Sequence, residues 1–281
     1  MEHTSSLKAV IAALLAAAAL GAAGCGTASS PLPSPDPTPP ATVEPTASVP
    51  APLPTDEPSV EASLSLPPTE APDPPESTEK PGPDLAVMPR ADDAFFADAA
   101  FFGNSLVQGL SLYGGLTQGD FIAEQSAAVY NVSTTLNASL SDGTEATLLD
   151  ALCEKQYGKI YILLGINELA FDPAYYARLY GELLDEIRAR EPQAELYVMS
   201  LSPITVEKDA DESVFTQARV LEYNAALRQV ADDRGCCFVD LVDALAGEDG
   251  FLPSDHSTDG IHLTRDYYPV WADYLRTHYR G

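Results

Sequence analysis

The stretch Lys159-Ile160-Tyr161-Ile162-Leu163-Leu164-Gly165-Ile166-Asn167-Glu168 decides the fold. Its first six residues show no polar alternation, so the strand they form must be buried on both faces. Such a strand belongs at the centre of a parallel sheet with helices packed on either side. Outward from it, the pattern alternates. Ala100 to Phe102 reads as a strand that turns at Gly103 into a helix from about Leu106. Ala127 to Val132 reads as a second strand, and Glu145 to Gln156 has helical spacing through Leu148, Leu149 and Leu152. Pro173 suits a helix start, and that helix runs to about Ala189 through Tyr176, Leu179, Leu183 and Ile187. Leu196 to Leu201 is the next strand, Phe215 to Arg234 the next helix, Cys237 to Leu241 the last strand, and Tyr267 to His278 the final helix. Five strands separated by helices predict a three-layer α/β/α sandwich around a five-stranded parallel sheet. Chemistry in such sheets gathers at the carboxyl ends of the strands.

The rest of the chain divides by composition. Of 24 prolines, 19 lie between Pro31 and Pro89, in a stretch rich in Ser, Thr and acids. A segment of that kind buries too little apolar surface to offset its chain entropy, so residues 25–90 read as a disordered acidic tether and 91–281 as one globular domain. Residues 91–281 carry 31 acids against 12 bases. That surface repels phosphate backbones and anionic bilayers, which excludes nucleic-acid binding and leaves membrane contact to a covalent anchor.

The leader supplies that anchor. Lys8 precedes fifteen small or apolar residues, Ala9 to Ala23, too few for a spanning helix and suited to a signal-peptide core. Ala22-Ala23-Gly24-Cys25 resembles a bacterial lipobox, although Glu2 and Ala22 depart from the usual pattern. The resemblance implies that residues 1–24 are a lipoprotein signal peptide, that Cys25 is acylated, and that the domain is extracytoplasmic, held at the membrane by a lipid anchor only. Cys153, Cys236 and Cys237 remain. They show no CxxC spacing and read as buried apolar thiols, a bridge involving Cys153 being the alternative.

Three short segments carry candidate chemistry. Gly103-Asn104-Ser105-Leu106 puts a serine where a strand turns into a helix, either as an N-cap or as a nucleophile beside a positive helix end. Asn167 lies at the mouth of the central strand, either as a turn residue or as an amide donor to an oxyanion. In Ser254-Asp255-His256-Ser257-Thr258-Asp259-Gly260-Ile261-His262, an aspartate three residues before a histidine can fold back onto the imidazole. His256 and His262 are the histidines to weigh. His256 has its acid directly adjacent, where side chains point apart, and reads as a loop residue.

Taken in order, Gly103-x-Ser105-Leu106, Gly165-x-Asn167 and Asp259-x-x-His262 resemble the SGNH/GDSL serine esterases over about residues 93–281. The resemblance implies a flavodoxin-like sheet, Ser105 as nucleophile, His262 as general base and acid, and Asp259 as its orienting carboxylate. It further implies an oxyanion hole from the Ser105 N–H, Asn167 in its Gly165 turn, and a second-block N–H. That block has no glycine here, so Ser133 or Thr134 is expected to supply the donor. The family's Gly-Asp-Ser is Gly103-Asn104-Ser105, and its Gly-x-Asn-Asp ends in Glu168.

The implied activity is hydrolysis of short acyl esters, such as acetyl esters on cell-envelope or environmental glycans, with no metal or organic cofactor. Three rivals stand beside it: acyl transfer to another hydroxyl by the same residues, a metal-dependent hydrolase using Asp255, His256, Asp259 and His262, and a non-catalytic binding lipoprotein. The metal reading leaves Ser105 and Asn167 without a role.

Overall fold

The computed structural model describes residues 85–211 and 213–281. The expected signal peptide, the expected acylation site Cys25 and the expected tether up to residue 84 lie outside the described residues. In chain order the elements are β1 (Ala99–Gly103), α1 (Ser105–Tyr113), β2 (Asp120–Ala123), β3 (Leu136–Ser139), β4 (Glu145–Thr147), α2 (Leu148–Leu152), β5 (Lys159–Leu163) and α3 (Pro173–Arg190). They continue with β6 (Glu195–Met199), α4 (Val206–Asp209), α5 (Gln217–Asp233), β7 (Cys237–Val239), α6 (Leu241–Leu245) and α7 (Tyr268–Leu275). Five strands form one parallel sheet in the order β2-β1-β5-β6-β7, with β5 at its centre and buried after Lys159. Strand order reverses at β1, so right-handed connections put α1 on one face and α3 and α5 on the other. α1 packs with α7, and α3 with α5. The crevice between the ends of β1 and β5 is the topological switch point, where an open α/β sheet places its ligands.

Register accounts for part of the core. Phe101 pairs with Phe121 on β2 and Tyr161 on β5, and Tyr161 pairs with Tyr197 on β6. Parallel register stacks these four rings in a row, with centroids 4.7, 5.0 and 4.4 Å apart. Each such pair contributes about 0.5–1.5 kcal/mol beyond the area it buries.

Three expected elements are corrected. The second strand is Asp120–Ala123, not Ala127–Val132. Ala127, Ala128 and Val132 are fully buried, but as turns over the end of the sheet, which apolar composition cannot distinguish from a strand. Asn131 stabilises those turns: its Oδ1 accepts the Ala128 N–H at 2.9 Å, and its amide donates to the Ser126 carbonyl at 2.9 Å. The expected helix Glu145–Gln156 is split. Glu145–Thr147 pairs antiparallel with β3, and Thr147 then caps the short α2 reciprocally with Asp150. The packed domain also begins before residue 91. Met88 donates its N–H to the Thr277 carbonyl at 2.7 Å, Arg90 pairs with Asp273 at 2.7 Å, and Val87 bridges to His278.

Cys153, Cys236 and Cys237 are all free thiols. Burial pushes Cys153 up to about 11 and Cys237 up to about 12, so neither is a ready nucleophile at neutral pH. Among the described residues, no helix is long and apolar enough to cross a membrane.

Candidate active site

β1 delivers Ser105. Asn104, not Ser105, caps α1: it is extended, and its Oδ1 accepts the Leu106 N–H at 3.0 Å. Ser105 is therefore the first residue of the helix, its own N–H has no acceptor within the helix, and its hydroxyl is not spent on capping. That hydroxyl lies 2.8 Å from His262 Nε2. On the other side of the ring, His262 Nδ1 lies 2.8 Å from Asp259 Oδ2. Asp259 Oδ1 accepts the backbone N–H of His262 at 2.8 Å and of Ile261 at 3.0 Å, so the carboxylate is fixed by its own turn. Burial raises the Asp259 carboxyl, but the bonds from the His262 backbone, the His262 ring and Ile261 outweigh it and hold the group below its ordinary value. An ionised Asp259 selects the tautomer with its proton on Nδ1, which leaves Nε2 to accept from Ser105.

The turn between acid and base is held from outside. Gly260 has φ +90°, and a Cβ there would stand 2.5 Å from the Lys208 Cβ on α4. Thr205 donates its N–H to the Gly260 carbonyl at 3.0 Å, and the Ser257 hydroxyl donates to the His262 carbonyl at 2.8 Å. His256 is placed apart from this chain and stacks on Tyr267 with centroids 4.0 Å apart. Among the described residues, no three His, Cys, Asp or Glu side chains form a metal-binding group, and Asp255, His256, Asp259 and His262 do not make one.

β5 delivers Asn167 on the neighbouring strand end. Gly165 turns the chain at φ +126°, where a Cβ would also collide with the Tyr176 hydroxyl at 2.2 Å. Tyr176 donates to the Leu164 carbonyl at 2.9 Å, Tyr180 to Ile162 at 3.2 Å, and Tyr223 to Glu168 at 2.6 Å and Phe171 at 2.8 Å. Three tyrosines from α3 and α5 thus tie down the strand and the turn behind it. The exposed Asn167 amide nitrogen lies 3.0 Å from the Ala127 carbonyl and 3.4 Å from that of Gln125. Glu168 is fully buried, and its Oε1 accepts the Val129 N–H at 2.5 Å.

Residues 101–268 match the profile of the GDSL-like lipase/acylhydrolase family. The chain belongs to this family. The hydrolase also resembles a structure from Streptococcus pneumonia described as a platelet activating factor, at 20% identity and TM-score 0.51, over 64% of this chain and 82% of that one. A Bacteroides fragilis structure described as an acylhydrolase is similar at 14% identity and TM-score 0.50, over 67% and 88%. At such identities the likeness shows the shared fold. No curated protein matches the sequence.

The structure brings together five of the expected site residues: Ser105, His262 and Asp259 through direct bonds, and Asn167 with Gly165 at the adjoining strand end. Ser133 and Thr134 are both exposed; the Thr134 N–H bonds to the Asn131 carbonyl at 3.1 Å, and its hydroxyl faces the Tyr130 and Asn131 carbonyls. The segment that meets Asn167 in the hydrolase is residues 125–127, and the next residues reach Glu168. The N–H groups of Ala127, Ala128 and Val129 already bond to Glu124, Asn131 and Glu168, so this loop is braced from three sides. Glu168 is the residue whose part was not legible. Its burial is visible only once the loop folds over it.

Proposed function

We propose that this hydrolase cleaves short acyl esters, such as acetyl, from cell-envelope or environmental glycans through an acyl-serine intermediate. The observation that carries the reading is the unbroken relay from Asp259 to His262 to Ser105, with both links at 2.8 Å. Ser105 Oγ attacks the ester carbonyl as its proton passes to His262 Nε2, and ionised Asp259 stabilises the imidazolium. The carbonyl oxygen becomes an oxyanion, met by the free N–H at the start of α1 and the Asn167 amide. Collapse breaks the ester bond, and the leaving alcohol takes the proton from His262. Water, activated by the same nitrogen, then releases the acid and restores Ser105. No step calls for a metal or an organic cofactor. The net charge of −27 disfavours polyanionic substrates and supports a neutral ester. Acylation at Cys25 would hold the domain outside the cell, where such glycans lie.

A serine-reactive fluorophosphonate and a panel of short-chain aryl esters test the reaction. Wild-type chain is expected to be labelled and to release aryl alcohol, and Ser105→Ala to do neither. Full activity in Ser105→Ala would overturn the reading.

A further inference from the structure

The loop after β2 and one side of α3 line a cleft of about 310 Å³. Its walls include Tyr130, Ser133, Tyr175, Leu179, Leu183 and Glu186. Two of these rings are far more exposed than packing alone requires: Tyr130 is 50% exposed and Tyr175 47%. They are nevertheless held in place. Tyr130 packs on Phe171 with centroids 5.6 Å apart, Phe171 packs edge-on against Tyr175 at 5.9 Å, and Arg178 lies over the Tyr175 ring. The cleft is also linked to the reacting end of the molecule. Val129 lines it and gives its N–H to Glu168, the residue after Asn167.

We infer that this cleft is a subsite for a neutral pyranose ring, the alcohol side of the ester, and this rests on the esterase reading above. A pyranose has an apolar C–H face and a rim of hydroxyls. Rigid, half-exposed tyrosine rings match the first at low entropic cost, and the Ser133 hydroxyl and Glu186 carboxylate match the second. Charge selects within the class. Glu182 and Glu186 line the cleft, and among the described residues lining it there is no Lys or Arg, which disfavours a uronate or a phosphate.

The test compares an acetylated oligosaccharide of neutral β-linked pyranoses with an aryl acetate, using the full-length chain. Tyr175→Ala is expected to lower the ratio of kcat/KM for the oligosaccharide to that for the aryl ester about tenfold, mainly through KM. Tyr175→Phe, which keeps the ring, is expected to restore it. A ratio unchanged by Tyr175→Ala would overturn the subsite. Wild type that cleaves the aryl ester but not the oligosaccharide would overturn both the subsite and the glycan substrate, while leaving ester hydrolysis intact. If neither ester is cleaved, the esterase reading fails. Binding of the deacetylated oligosaccharide, titrated against Ser105→Ala and the Ser105→Ala/Tyr175→Ala double variant, then decides the cleft alone: an affinity that falls about tenfold with Tyr175 supports it, and one that is absent or unaffected rejects it.

Discussion

In the proposed mechanism Ser105 and His262 act as a unit, since the hydroxyl attacks only as the imidazole takes its proton. Alanine at either is expected to remove nearly all turnover, and the double variant to be no worse than the single ones. Asn167 braces the loop at the Ala127 carbonyl, and in the proposed mechanism it also donates to the oxyanion. Asn167→Ala is expected to cost about 10²–10³ in kcat with a smaller change in KM, read by steady-state kinetics. Glu168 makes a separate prediction. Burial raises its carboxyl from the ordinary 4.5 to about 7, against bonds from the Val129 and Gly165 N–H groups that favour the charge. The folded state therefore holds a proton that the unfolded state has lost, and the stability this group contributes is complete below pH 4.5 and disappears as pH rises through 7. Glu168→Gln cannot ionise. Wild type is expected to lose about 3 kcal/mol relative to the variant between pH 4.5 and pH 8, as an upper figure, measured by denaturant unfolding of both. An equal gap at the two pH values would mean that the carboxyl titrates as if in water.

At the scale of elements, the N-terminal segment before the first strand matters more than its composition suggests. Leu85 packs against the core, and Met88, Arg90 and Ala91 bond to the segment that closes α7. A chain starting at residue 85 is expected to unfold cooperatively with full activity. One starting at 91 forfeits the Met88 backbone bond, the Arg90 pair and the Leu85 contact. Its unfolding midpoint is expected to fall by several degrees, since each kcal/mol shifts Tm by about 2–4 °C in a domain near this size. Identical melting curves would return the boundary to residue 91.

For the whole molecule, location and reaction are separable. The acidic domain is repelled by anionic bilayers, so under the lipoprotein reading we propose, attachment would rest on Cys25. Cys25→Ser is expected to move the protein from the membrane fraction to the soluble fraction with esterase turnover unchanged. Continued sedimentation with membranes would point to an uncleaved apolar leader as the anchor.

The sequence by itself determined the parallel sheet, because Lys159 to Leu164 is apolar without alternation and only a doubly covered strand tolerates that. It also offered Ser105, Asn167, Asp259 and His262 as candidates, at two strand ends and in a glycine-containing turn, and the resemblance to the SGNH/GDSL esterases gave them their roles. Asp259 and His262 are three residues apart, so their bond is a property of one turn. The link between Ser105 and His262 spans 157 positions and is a product of tertiary folding, in which Thr205 donates its N–H to the Gly260 carbonyl and Lys208 on α4 packs against that turn. Tertiary structure alone decided the second strand. Asp120–Ala123 is a short edge strand with a weak pattern, whereas Ala127 to Val132 is buried by the turns that cover the sheet, and burial draws the same apolar residues to both. The role of Glu168 depended on the same event, since a carboxyl is raised by the chain that closes over it and not by its neighbours in sequence.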